Sequence, residues 1–239
     1  MPDVGEFLGR WNAPGAPRRA ARLRTSADGN INTVGLPGIH EADDVDPAHP
    51  QWRAAIEEGV WPLVDALTTG DWRLATYDSC QGHDYDSPSL TNGWRRVGVL
   101  PRTRDEFAHA GAALCRSVRA ASPDVPAPVR ITLSTCDLTC GRTGRTYPVL
   151  DLGLEPAPGA GADAYFATVD TATGVLTARL LARRPAADEP CGCVGGGHRA
   201  VDRTAKGHAS RERIPRSARS SDVSHPTAKE RNGAGRTTP

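Results

Sequence analysis

From Arg184 to Pro239 the chain carries four Val or Ile and no Leu, Phe, Trp or Tyr. So little apolar surface cannot offset the entropy of ordering a segment of that length. The stretch 184–239 is therefore expected to be a disordered tail, and any core must come from the residues before it. The tail holds eleven Lys and Arg against six Asp and Glu, a local +5, which leaves the remainder at −4 within an overall charge of +1. A basic tail without an aromatic residue to stack a base is only a weak nucleic-acid signal. Within it Cys191, Cys193 and His198 have soft-metal ligand chemistry but no predicted fold around them.

Residues 1–39 scatter Pro14, Pro17, Gly29, Gly35, Pro37 and Gly38 among isolated apolar residues and sustain neither a helical nor a strand period. They are expected to form a flexible arm. That leaves one ordered domain over 40–183, in keeping with 25 Gly, 20 Pro and a hydrophobic content of 38%. No apolar run approaches the length of a membrane span, and the opening is not a charged-then-apolar leader, so no membrane partner and a cytoplasmic location are expected. The Cys residues are clustered as Cys80, then Cys136 with Cys140, then Cys191 with Cys193. In a reducing compartment such clusters more often bind metal or do chemistry than form a disulfide scaffold. Cys115 sits beside Leu114 on a helical stripe and reads as core.

Within the domain, Trp52, Ile56, Val60, Leu63 and Leu67 predict an amphipathic helix over Gln51 to Thr68, kinked or split at Pro62. A strand is predicted over Trp72 to Thr76 and another over Arg95 to Leu100. Thr103 as N-cap, Glu106 after it, and the stripe Phe107, Ala110, Leu114 and Val118 predict a helix over Asp105 to Ala120. Val129 to Ser134 and Tyr147 to Leu154 read as strands. Ala164 to Asp170 and Val175 to Ala182, flanking Thr171-Ala172-Thr173-Gly174, read as a closing hairpin. The order implies an α+β two-layer sandwich: a mainly antiparallel sheet with two helices on one face.

The chemistry concentrates in Thr76-Tyr77-Asp78-Ser79-Cys80-Gln81-Gly82-His83-Asp84-Tyr85-Asp86. It puts a thiol three residues before an imidazole, with carboxylates on both sides and a glycine that lets the chain turn. Three readings fit. Cys80 and His83 with Cys136 and Cys140 form two short-spaced pairs, the pattern from which tetrahedral zinc is built. Alternatively Cys80 is a nucleophile with His83 as base and Asp78 or Asp84 orienting the imidazole. In the third, Cys80 is a small buried residue under a tight turn. Arg95, Arg96 and Arg102 bring positive charge near the loop and are candidates to hold an anionic substrate. A small enzyme with a Cys/His, zinc-compatible site leads, and a non-catalytic zinc-stapled binding module with a basic tail is the alternative.

Ser79-Cys80-Gln81-Gly82-His83, set after a strand and followed by a strand and a helix, resembles the Ser-Cys-x-Gly loop of the wybutosine-synthesising tRNA methyltransferase family over about Trp72 to Leu154. That family carries Arg where this chain has His83. The loop is also similar to that of small bacterial domains bearing Ser-Cys-x-Gly-His. The first resemblance implies an α/β domain binding S-adenosylmethionine and acting on a nucleoside, with Ser79, Cys80 and Gly82 near the pocket.

Overall fold

Thr103 accepts a hydrogen bond from the Glu106 backbone N–H at 3.0 Å and so caps the longest helix among the described residues, as its sequence predicts. In the computed structural model the described residues are 3–13, 15, 20–25, 31–32, 45–84 and 93–182. All of them fall in one compact unit, Met1–Lys206. The tail 184–239, with Cys191, Cys193 and His198, and much of the arm lie outside the described residues.

The elements in order are α1 (Val4–Trp11), β1 (Arg24–Thr25), β2 (Ile31–Asn32), α2 (Trp61–Thr68), β3 (Thr76–Cys80), β4 (Arg95–Val99), α3 (Arg104–Ala121), β5 (Val129–Thr139), β6 (Thr146–Pro156), α4 (Ala162–Phe166) and α5 (Val169–Ala182). The main sheet has the order β3-β4-β6-β5 with every pairing antiparallel. The fold is α+β. Side chains alternate across the sheet, so Leu150, Leu152 and Leu154 join Val97 and Val99 on the face covered by α2, α3 and α5. Val149 points the other way, into a second cluster with Cys136, Leu138 and Cys140, where Val4 and Phe7 of α1 cover it.

Several elements depart from the sequence reading. Helix α1 lies within the expected arm. Its Asp3 cap accepts from the Glu6 N–H at 3.0 Å, and Val4, Phe7, Leu8 and Trp11, spaced i, i+3, i+4 and i+7, turn one face to the second cluster, a helical stripe two turns long that the surrounding Pro and Gly of the arm obscure. The Gln51–Thr68 helix is shortened: 3-10 turns occupy Arg53–Ala55 and Glu58–Val60, and α2 starts with Pro62 in its first turn, where a missing N–H costs nothing. The strand expected at Trp72 to Thr76 falls instead on Thr76–Cys80. Trp72 is an anchor, its indole donating to the Leu180 carbonyl at 3.0 Å.

The predicted hairpin is helical. Val169, Thr171, Thr173, Val175 and Thr177 alternate as a strand would, but Val169, Ala172, Thr173, Leu176 and Leu180 form a helical stripe that is buried. The second pattern wins because it carries the two leucines, and fully burying each is worth about 1.5–3 kcal/mol. Cys115 is buried on α3, as expected. It is also disulfide-bonded, whereas Cys80, Cys136 and Cys140 are free.

Candidate functional site

Cys80 is the last residue of β3, and the turn after it is dictated by Gly82. The glycine φ of +86° lies in the region that side chains with a Cβ avoid. A Cβ there would stand 3.0 Å from the Gly93 carbonyl oxygen and 3.1 Å from the Arg95 nitrogen. The turn brings His83 against Gly93, where the two backbones exchange hydrogen bonds of 2.9 and 3.1 Å. The imidazole is thereby swung inward and is 5% exposed.

It meets Glu57, 4% exposed, from the loop before the 3-10 turn Glu58–Val60. His83 Nε2 and Glu57 Oε1 are 3.2 Å apart. A buried carboxylate needs donors, and Glu57 has them: the Ile31 N–H donates to Oε1 at 3.0 Å and the Gln81 N–H to Oε2 at 2.6 Å. Cys80 completes the group. One ligand atom from each of Glu57, Cys80 and His83 lies within 4.8 Å of the others, the single such cluster among the described residues.

Gln81 is the keystone of the loop. Its side-chain oxygen accepts from the Gly59 N–H at 3.0 Å, and its carbonyl accepts from Arg95 Nε at 2.7 Å. Arg95 Nη1 in turn donates to Asp170 Oδ1 and Thr173 Oγ1, each at 2.7 Å. Arg95, 5% exposed, is thus a strut between the loop and α5. Arg102 donates through Nη1 to Glu106 at 2.6 Å and through Nε to Asn12 at 2.9 Å, fastening α3 to α1. Arg96 alone of the three candidate arginines stands at the cluster with capacity to spare: Nη2 pairs with Asp78 Oδ2 at 3.0 Å, and Arg96 is the cross-strand partner of Cys80. Asp78 therefore serves Arg96, and His83 is oriented by Glu57. Asp84 is exposed and lies outside the converging group.

Cys136 and Cys140 do not join Cys80. Cys80 pairs with Arg96, Arg96 with Gly153 and Gly153 with Thr132, so Cys136 is four residues along and three strands across. At strand spacings of about 3.3 and 4.8 Å that is roughly 20 Å. Nor are Cys136 and Cys140 a pair, because the C-x3-C spacing assumed a turn where β5 runs extended to Thr139, leaving about 13 Å between them. Cys136 Sγ donates to Asp151 Oδ2 at 3.3 Å. Cys140 has a pKa held down to about 7 by the Thr143 hydroxyl and then the Val4 N–H.

Burial pushes the Cys80 thiol above its ordinary 9.0, with Glu57 and Asp78 adding to the shift and the Gly82 N–H and Arg96 opposing it. The Gly82 N–H donates to Sγ at 3.4 Å. Left to itself this sulfur stays protonated at neutral pH, unlike an activated nucleophile. A metal ion reverses that preference, since a coordinating thiol is deprotonated outright. Zinc bonds of about 2.0–2.1 Å to nitrogen and oxygen at a tetrahedral angle put the two donors about 3.3 Å apart, close to the 3.2 Å between His83 and Glu57. Sulfur, imidazole and carboxylate together could hold a metal ion.

Glu57 is the residue that sequence reasoning missed. It reads as the polar side of an amphipathic helix, 23 residues before Cys80, and the one sign against that is Gly59 and Pro62 interrupting the helix around it. Comparison with protein-family models, with curated proteins and with solved structures gives no match.

Proposed function

We propose that this chain is a small zinc-dependent enzyme whose metal is held by Glu57, Cys80 and His83. The observation that carries the reading is the convergence of three different zinc-type donors, with no fourth among the described residues, at one place where two are buried and the third is partly exposed. Structural zinc is closed by four protein ligands, whereas catalytic zinc keeps three and an open position. When bound, the ion would act as a Lewis acid toward a substrate oxygen. The protein's own part is to fix the ligands. Gln81 and Ile31 hold the Glu57 carboxylate through their N–H groups, the Gly93 backbone holds His83, and Arg95 braces the loop that joins them. Such outer contacts set ligand orientation and metal affinity. The substrate is a small or nucleoside-like molecule approaching from the Cys80 side.

A zinc-stapled binding module needs a closed ligand set, which Cys136 and Cys140 are too far away to supply. The test is metal content by mass spectrometry of the natively purified protein. About one zinc per chain is expected, lost on Cys80→Ser and on Glu57→Gln and kept on Cys136→Ser and Cys140→Ser. A metal-free native protein that also fails to take up added zinc, or zinc that leaves with Cys136 and stays without Glu57, overturns the proposal.

A further inference from the structure

We infer that the open side of the Glu57, Cys80, His83 cluster is an oxyanion site, in which a carboxylate or phosphate oxygen meets the metal while another meets Arg96. This deepens the proposed function and rests on it.

Exposure fixes the direction of approach. Glu57 and His83 are 4% and 5% exposed, whereas Cys80 is only partly buried, so among the described residues the solvent side of the cluster is the side of Cys80. Directly opposite on β4 stands Arg96. Paired residues of antiparallel strands present their side chains on the same face, with Cβ atoms about 4.5–5.5 Å apart. A ligand entering over Cys80 therefore enters beside this guanidinium. Asp78 lies on the same face, two residues before Cys80.

The guanidinium is underused. Among the described residues its one ion pair is Nη2 to Asp78 Oδ2 at 3.0 Å, and its side chain is 37% exposed. Nε is shielded from solvent with no acceptor. Arginine presents a planar fork of five N–H donors suited to paired oxygens, and Asp78 occupies little of it. The Asp78 carboxylate shows what the position accepts: an anionic oxygen at hydrogen-bond distance. It also competes for the same head. A neutral ligand would leave the Arg96 charge facing the metal with Asp78 as its sole counterion, whereas an oxyanion satisfies both cations at once.

The test uses the full-length protein loaded with cobalt(II), whose thiolate-to-cobalt absorption reports Cys80 and whose visible bands report a change in coordination. Acetate and inorganic phosphate are titrated separately, with chloride as the control that has no oxygen. Expected is a saturable change in the visible bands with at least one of the two oxyanions, and which one separates a carboxylate site from a phosphate site. Arg96→Gln should keep the thiolate band and weaken the oxyanion response by about tenfold, corresponding to one charge-assisted hydrogen bond, with Arg96→Lys between. Asp78→Asn should tighten it by removing the competitor. A thiolate band that ignores both oxyanions, or an oxyanion response undiminished in Arg96→Gln, overturns this inference alone. Failure of the thiolate band to form overturns the metal reading and this one together.

Discussion

Replacing Gly82 by Ala tests whether the His83 turn is set by backbone geometry. The residue sits at φ +86°, and a left-handed conformation costs a residue with a Cβ about 1–2 kcal/mol. The added methyl would meet backbone atoms, the Gly93 oxygen at 3.0 Å and the Arg95 nitrogen at 3.1 Å, neither of which can swing aside as a side chain would. Relief comes by opening the His83–Gly93 bridge, which loses two hydrogen bonds at about 0.5–1.5 kcal/mol each. Together the penalty is about 2–5 kcal/mol. At about 2–4 °C per kcal/mol for a domain of this size, thermal melting should fall by about 10 °C. The variant should also lose metal, because the bridge is what aims His83 at Glu57. Gly93→Ala is the control: its Cβ would find His83 N at 3.8 Å and Cys80 Sγ at 4.0 Å, ordinary contacts that predict a change under about 1 kcal/mol. If Gly82→Ala melts within about 2 °C of the parent and binds zinc normally, the turn is not what places the imidazole.

Tyr165→Phe removes a hydroxyl that accepts from the Arg95 N–H at 2.9 Å and donates to the Leu154 carbonyl at 2.8 Å. Both buried backbone groups lose that hydrogen bond, so urea unfolding should report a loss of about 1–3 kcal/mol, and a loss below about 0.5 kcal/mol would refute the hydroxyl's importance. Cys140 gives a pH dependence. Its folded-state pKa is depressed to about 7 from 9.0, so between these values the unfolded chain binds more protons. The stability it contributes is fully present above pH 9 and is lost as pH falls toward 7. The melting difference between the parent and Cys140→Ala should therefore widen as pH is raised across that window, and a constant difference would show that the sulfur is not held as thiolate.

The parts of the fold legible in the sequence were those where a single local pattern had no rival. Helix α3 had a cap, a capping partner and a stripe agreeing with one another, and β5 and β6 lay where β-branched and apolar residues cluster. Helix α5 was misread because its β-branched residues alternate while its burial follows Leu176 and Leu180. The choice between the two is made by α2 and α3, which supply the surface those leucines bury against. The stripe Val169, Ala172, Thr173, Leu176 and Leu180 is local to 169–182; the surface that makes it the buried one is not. For α1 the deciding partner is likewise remote, since Val4 and Phe7 are buried only because β5 and β6 present Cys136, Leu138 and Val149.

The site divides in the same way. Cys80 and His83 could be paired from sequence because a glycine between them allows the turn, and the turn is local. Glu57 could not, because it reaches His83 through a chain of contacts anchored far away: Gln81 holds Glu57, Arg95 holds Gln81, and Asp170 with Thr173 holds Arg95. Helix α5, the element misread as a hairpin, is therefore the far end of the brace that sets the third ligand. Had residues 169–182 formed a strand, Arg95 would lose its partners on that side and be a free cation beside the cluster, as the sequence suggested. Buried as it is, it is engaged by Gln81, Asp170 and Thr173 and leaves Arg96 as the cation available to a ligand. The misreading of one secondary structure and the misassignment of one arginine are the same error, and the correct fold supplies both the missing ligand and the reason why Arg96 rather than Arg95 faces the open side.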